Sequence, residues 1–274
     1  MSNLTTLSPA ENLLLRDGNK VSVRLMLKGT LIDLLMRGVL AINVIEAQPH
    51  KREKARRYKY IVRGPSWHAH EYTAHEEVFL APYRRDDQVR HQLKNLVAVA
   101  LERAGGRTKF CRIIRQTPEL APLYRPFLSQ YTITGLLNSS GRVAREVLVA
   151  EIAKVEEEVL LALNVDRPNA VRMINELRGN IVLLKQVSSV MLKELDEELK
   201  SHRLDPTRGD ADGSGGGCGG WYHGSLSEGF DSAAEAAGCG GSGCGSDGGS
   251  GCGSDGGSGC GGSGCSGCVG CGGD

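Results

Sequence analysis

The sequence predicts a mainly α protein: one helical domain with a small β-hairpin and a winged-helix-like start, followed by a disordered tail rich in glycine, serine and cysteine. Three observations carry this expectation. Apolar residues recur at helical spacing through much of residues 9–201. Two short β-branched and aromatic runs, 39–47 and 58–63, flank a loop crowded with basic residues. Of nine cysteines, only Cys111 lies before residue 205. The stretch from Asp205 through Pro206 and Gly209 to Asp210 reads as a junction, dividing the chain into a domain over 1–205 and a tail over 206–274. A segment of the tail's composition cannot bury enough apolar area to offset the entropy of ordering a glycine-rich backbone.

Ser8-Pro9-Ala10-Glu11 has the spacing of a capping box with proline at the first helical position, so a short helix starts there and Gly18 ends it. In the following stretch Leu27, Leu31, Leu34 and Leu35 stand at i, i+4, i+7 and i+8, a helix buried on one side and stopped by Gly38. The runs 39–47 and 58–63 then form the two arms of a hairpin. Helix, helix, hairpin is the order of a winged-helix unit. Farther along, Val89, Leu93, Leu96, Val97, Ala100 and Leu101 precede Gly105-Gly106 and mark an amphipathic helix. Pro122 and Pro126 break residues 119–137, while 142–163 and 168–201 carry sustained helical periodicity with many Glu and Lys on the polar face.

A formal net charge of +1 gives no global attraction to nucleic acid or membrane, so an electrostatic partner has to meet a local patch. One exists: Lys51, Arg52, Lys54, Arg56, Arg57, Lys59 and Arg63 stand against a single acid, Glu53, within thirteen residues. The amino terminus lacks a basic region ahead of its apolar residues, and no uninterrupted run of about 18 apolar residues occurs. These features predict a cytoplasmic protein, peripheral to a membrane where the patch meets one. Nucleic acid is disfavoured as a partner, because the presumptive recognition helix, 21–36, is too apolar to face a groove. His68, His70 and His75 cluster with Glu71, Glu76 and Glu77, but no second element offers matching ligands, and the run reads as structural. Residues 1–205 hold no G-x-S-x-G, H-E-x-x-H or phosphate-binding glycine loop, so no catalytic residue is assigned and no enzyme is expected.

The tail holds Cys218, Cys239, Cys244, Cys252, Cys260, Cys265, Cys268 and Cys271, and the octapeptide GCGSDGGS occurs twice in succession, at 243–250 and 251–258. Three chemistries stay open. Cys265-x-x-Cys268-x-x-Cys271 is spaced tightly enough to ligate zinc, the one cofactor the sequence suggests. Gly-Cys and Gly-Ser pairs expose an unhindered glycine carbonyl to the next thiol or hydroxyl, and in this the tail resembles the cores of thiazole/oxazole-modified peptides, which makes all eight cysteines modification candidates. The repeat is also what slippage in a low-complexity segment produces.

Residues 27–43, LKGTLIDLLMRGVLAIN, following LSPAENLLL at 7–15, resemble the opening of the Golgi phosphoprotein 3 family. There an apolar helix with a G-x-L-[IL]-x-L-x-x-R-G pattern leads into a basic hairpin; Gly29, Leu31, Ile32, Leu34, Arg37 and Gly38 fall on it. Residues 90–101 and 162–187 are similar to later parts of the family. The resemblance implies a mostly helical, non-enzymatic protein that binds phosphatidylinositol 4-phosphate at membranes and holds cytosolic tails of membrane enzymes. Carried over residue by residue, Lys28 takes a basic place of the lipid pocket, though VSVRLML before it has no tryptophan. Lys94 stands where the family uses arginines and lacks their bidentate fork. The lipid- or anion-binding set expected is therefore Lys28, Arg37, Lys51, Arg52, Lys54, Arg56, Arg57 and Lys94. The expectation is a peripheral adaptor at an anionic surface, with a protein partner implied by the resemblance. The alternatives are a modified-peptide precursor whose domain is recognised by the modifying enzyme, and a metal- or thiol-binding tail protein.

Overall fold

A computed structural model describes residues 3–47, 56–84, 89–125, 136–187 and 223–238. The chain divides into two units, Met1–Gly241 and Ser242–Asp274, and the second lies wholly outside the described residues. The fold is mainly α with a three-stranded antiparallel sheet, the class that the sequence predicts.

After a single turn, α1 (Asn3–Thr6), the helix α2 (Pro9–Asp17) opens on the expected capping box: Ser8 Oγ accepts from the Glu11 amide, and the Ser8 amide donates to Glu11 Oε2 at 2.8 Å. The next helix, α3 (Val23–Met36), is buried continuously from Gly29 to Leu34 as well as at Met26 and Leu27. It therefore lies through the core rather than along its edge. Strands β1 (Leu40–Ala47) and β2 (Arg56–Arg63) form the hairpin, and a two-residue strand β3 (His91–Gln92) adds to the far side of β2. Between β2 and β3 lie turns and a short helix α4 (Glu77–Leu80).

The helix expected across 86–106 begins only at Leu93, because His91 and Gln92 pair with Ile61 and Tyr60; α5 (Leu93–Ala104) ends on Gly105 in the left-handed region. It is followed by α6 (Arg107–Arg115) and by the long α7 (Ser139–Val165), capped by the Asn138 side chain on the Gly141 amide. The continuous helix expected over 168–201 does not form. Instead α8 (Arg167–Leu177) stops where Arg178 takes φ 52°, and residues 178–183 make a 3-10 turn. The physical reason is close approach: a Cβ on Gly179 would stand 2.4 Å from the Gly29 carbonyl oxygen, so this turn lies directly on α3. Residues 188–201 lie outside the described residues.

The domain boundary expected at 205 also needs correction. Residues 223–238, inside the stretch predicted to be a tail without structure, form α9 (His223–Gly238), which packs on α5 and α3. Leu226, Phe230, Ala233 and Ala234 are its buried apolar residues, at i, i+4, i+7 and i+8, beside the buried Ser227, and Phe230 joins the main core. That local stripe wins over the glycine-rich composition around it. Among the described residues no helix is long and apolar enough to cross a membrane.

Candidate anionic-surface site

The hairpin is rooted by two glycines and by a ring of core side chains. Gly38 takes φ 70° to turn the chain out of α3, and Gly64 lies against it so tightly that a Cβ there would be 2.1 Å from the Gly38 carbonyl oxygen. The Gly64 amide donates to Val39 O at 2.8 Å, and the Ser66 amide donates to Gly38 O at 2.9 Å. Val39, Leu40 and Ile61 are buried at this root, where the Tyr83 hydroxyl donates to Ile61 O at 3.0 Å. Four residues farther out, Asn43 and Val44 are exposed. Pairing runs in register from Leu40 opposite Arg63 to Ala47 opposite Arg56. Eight residues at about 3.4 Å each make an arm on the order of 27 Å long.

Charge is distributed unevenly along that arm. Its outer end holds Arg56 and Arg57, opposite Ala47 and Glu46, and the connection 48–55 contains Lys51, Arg52 and Lys54, which lie outside the described residues. At the inner end Arg63 is committed to the core: its guanidinium donates to Tyr83 O and lies 4.6 Å from the Trp67 ring centroid.

The other expected site residues are elsewhere. Lys94 is exposed on α5. Lys28 is mostly covered, and its Nζ pairs with Asp231 Oδ2 of α9 at 2.7 Å. Arg37 is held between carboxylates, with Nε 2.8 Å from Asp33 Oδ2 and Nη2 bonded to Glu76 Oε1. Both residues, expected as anion ligands, thus have protein carboxylates as their anions. Asp33 is an i,i+4 neighbour of Arg37, whereas α9 and the 70–76 segment bring Asp231 and Glu76 from far along the chain, which spacing within α3 could not show.

Glu76 is the centre of a buried network. Its Oε2 meets His70 Nε2 at 2.9 Å and accepts from the Thr73 amide at 3.0 Å, while Oε1 faces Arg37. Burial pushes the Glu76 carboxyl up, but Arg37 and the Thr73 amide outweigh it and hold it below its ordinary value. Asp33 goes the other way: burial raises it against the pull of Arg37. The signal was present in the His/Glu-rich run 67–77, read there as structural; His70 and Glu76 do come together, but His68 stays exposed. Among the described residues no three ligating side chains converge to hold a metal ion. Cys265, Cys268 and Cys271, the zinc candidates, lie outside the described residues, as do Cys218, Cys239, Cys244, Cys252 and Cys260.

Comparison with protein-family models, with curated proteins and with solved structures gives no match to this chain.

Proposed function

We propose that this protein is a non-enzymatic adaptor that holds to anionic membrane surfaces through its basic hairpin. The observation behind this reading is the register that pairs Ala47 with Arg56 and Glu46 with Arg57 at the end of the arm away from its buried root, with Lys51, Arg52 and Lys54 following in the sequence of the connection 48–55. A rigid root with a cationic tip lets several charges meet a surface at once. Each basic residue that reaches an anionic leaflet contributes about 1 kcal/mol. The ligand is a negatively charged surface in general, since the two α3 cations that a dedicated phosphoinositide pocket would need, Lys28 and Arg37, are paired within the fold.

Co-sedimentation with vesicles tests it. The full chain is expected to bind phosphatidylcholine vesicles containing phosphatidylserine at low salt and to leave them near 0.5 M salt, where the Debye length is about 4 Å. The triple variant Lys51→Glu, Arg52→Glu, Lys54→Glu is expected to lose on the order of a hundredfold in affinity, from about 1 kcal/mol per residue. Equal binding to pure phosphatidylcholine, or an unaffected triple variant, would overturn the proposal.

A further inference from the structure

The root of the hairpin is fastened by a segment whose one fully buried titratable side chain makes no ion pair among the described residues. His75 is completely inaccessible; Nε2 stands 3.4 Å from Thr73 Oγ1, and Nδ1 has no hydrogen-bond partner. The charged groups around it come from four places: Glu11 on α2, Arg37 on α3, Glu76 next in the chain, and Glu119 in the turn after α6. Next to His75, Glu76 ties the segment to Arg37, the last residue before the Gly38–Gly64 clasp from which the hairpin leaves the core. The segment itself is thinly built, being turns and one four-residue helix between β2 and β3.

We propose that residues 70–76 form an acid-sensitive latch on the root of the basic hairpin, released when His75 takes up a proton. Burial holds the closed-state imidazole below its ordinary value, and Arg37 adds to this, against the opposing pull of Glu11, Glu76 and Glu119. Once the segment opens, solvated His75 returns to about 6.5. The open form then binds a proton where the closed form does not. The closed latch is therefore at full strength above pH 6.5 and weakens as pH falls, with the open-to-closed ratio rising up to about tenfold per pH unit until the closed form itself protonates. The consequence for membrane attachment, a hairpin freed to reorient in acid, rests on the anionic-surface reading above; the latch does not.

Hydrogen exchange of the full chain, at pH 7.5 and pH 5.0 and corrected for intrinsic rates, tests the latch without any membrane. Protection over 64–83, including the Gly64 and Ser66 amides, is expected to fall, by up to about thirtyfold over this interval, while α5 and α8 change little. His75→Gln is expected to abolish the difference. His91, another imidazole held low by burial, serves as a control, and His91→Gln is expected to keep it. Should His75→Gln fail to fold, the wild-type imidazole resonances decide: His75 must titrate below the ordinary histidine value. Unchanged protection, an equal loss throughout the chain, dependence on His91, or a His75 that titrates near 6.5 in the closed protein would each overturn the proposal.

Discussion

Ending the chain at Tyr222 removes α9 whole and tests whether a helix inside a glycine-rich segment belongs to the folded unit. Phe230 is 1% exposed and shares the core with residues of α5 and α3; Ala233 and Ala234 are buried beside it. Replacing a fully buried phenylalanine by alanine costs about 3–5 kcal/mol when the site stays assembled. Here the loss has a ceiling, because a weakened α9 can simply leave, and Phe230→Ala cannot cost more than the docking free energy of the helix. The two perturbations are therefore expected to approach the same limit. For a unit of this size each kcal/mol lowers the melting temperature by about 2–4 °C, so a loss of about 3 kcal/mol corresponds to roughly 6–12 °C by circular dichroism. The chain ending at Gly241, which keeps α9, is expected to melt with the full chain. Losing α9 also leaves the mostly covered Lys28 without Asp231, so Asp231→Asn is expected to give a smaller drop of the same sign. Identical melting of the chains ending at Tyr222 and Gly241 would refute the docking of α9 and restore a boundary near 205.

Three further substitutions probe the packing that positions the hairpin. Gly64→Ala puts a Cβ 2.1 Å from the Gly38 carbonyl, and a loss of about 1–3 kcal/mol or more is expected in urea unfolding. Asn180→Ala removes an acceptor from Asn12 Nδ2 at 2.9 Å and a donor to Leu4 O at 2.7 Å inside the core; about 1–3 kcal/mol should disappear from the same measurement. Glu76→Ala leaves Arg37 partly unpaired in a buried site, with an expected cost of about 3–5 kcal/mol, and Glu76→Gln, which can still accept from Thr73, should cost less.

What the sequence determined by itself was local. The capping box at Ser8, the glycine stop of α5, the long periodic α7 and the two β-branched arms of the hairpin are each specified within a few residues, because backbone hydrogen bonds and side-chain periodicity act over that range. The basic tip of the candidate site was legible for the same reason, as a run of charge between two strands. Tertiary structure alone decided the fate of the remaining cations. Lys28 and Arg37 look like ordinary surface residues of a helix, yet Asp231 pairs with Lys28 and Glu76 joins the local Asp33 on Arg37, both from more than 35 residues away. It also decided that the predicted helix over 168–201 breaks at Arg178, where Gly179 meets Gly29 from a distant part of the chain. The stripe of Leu226, Phe230, Ala233 and Ala234 could be seen in the sequence, but a helix with two alanines on its buried face is too weak to form alone. It exists because α3 and α5 are already in place to cover it, and packing between elements far apart in sequence is the information that residue spacing does not carry.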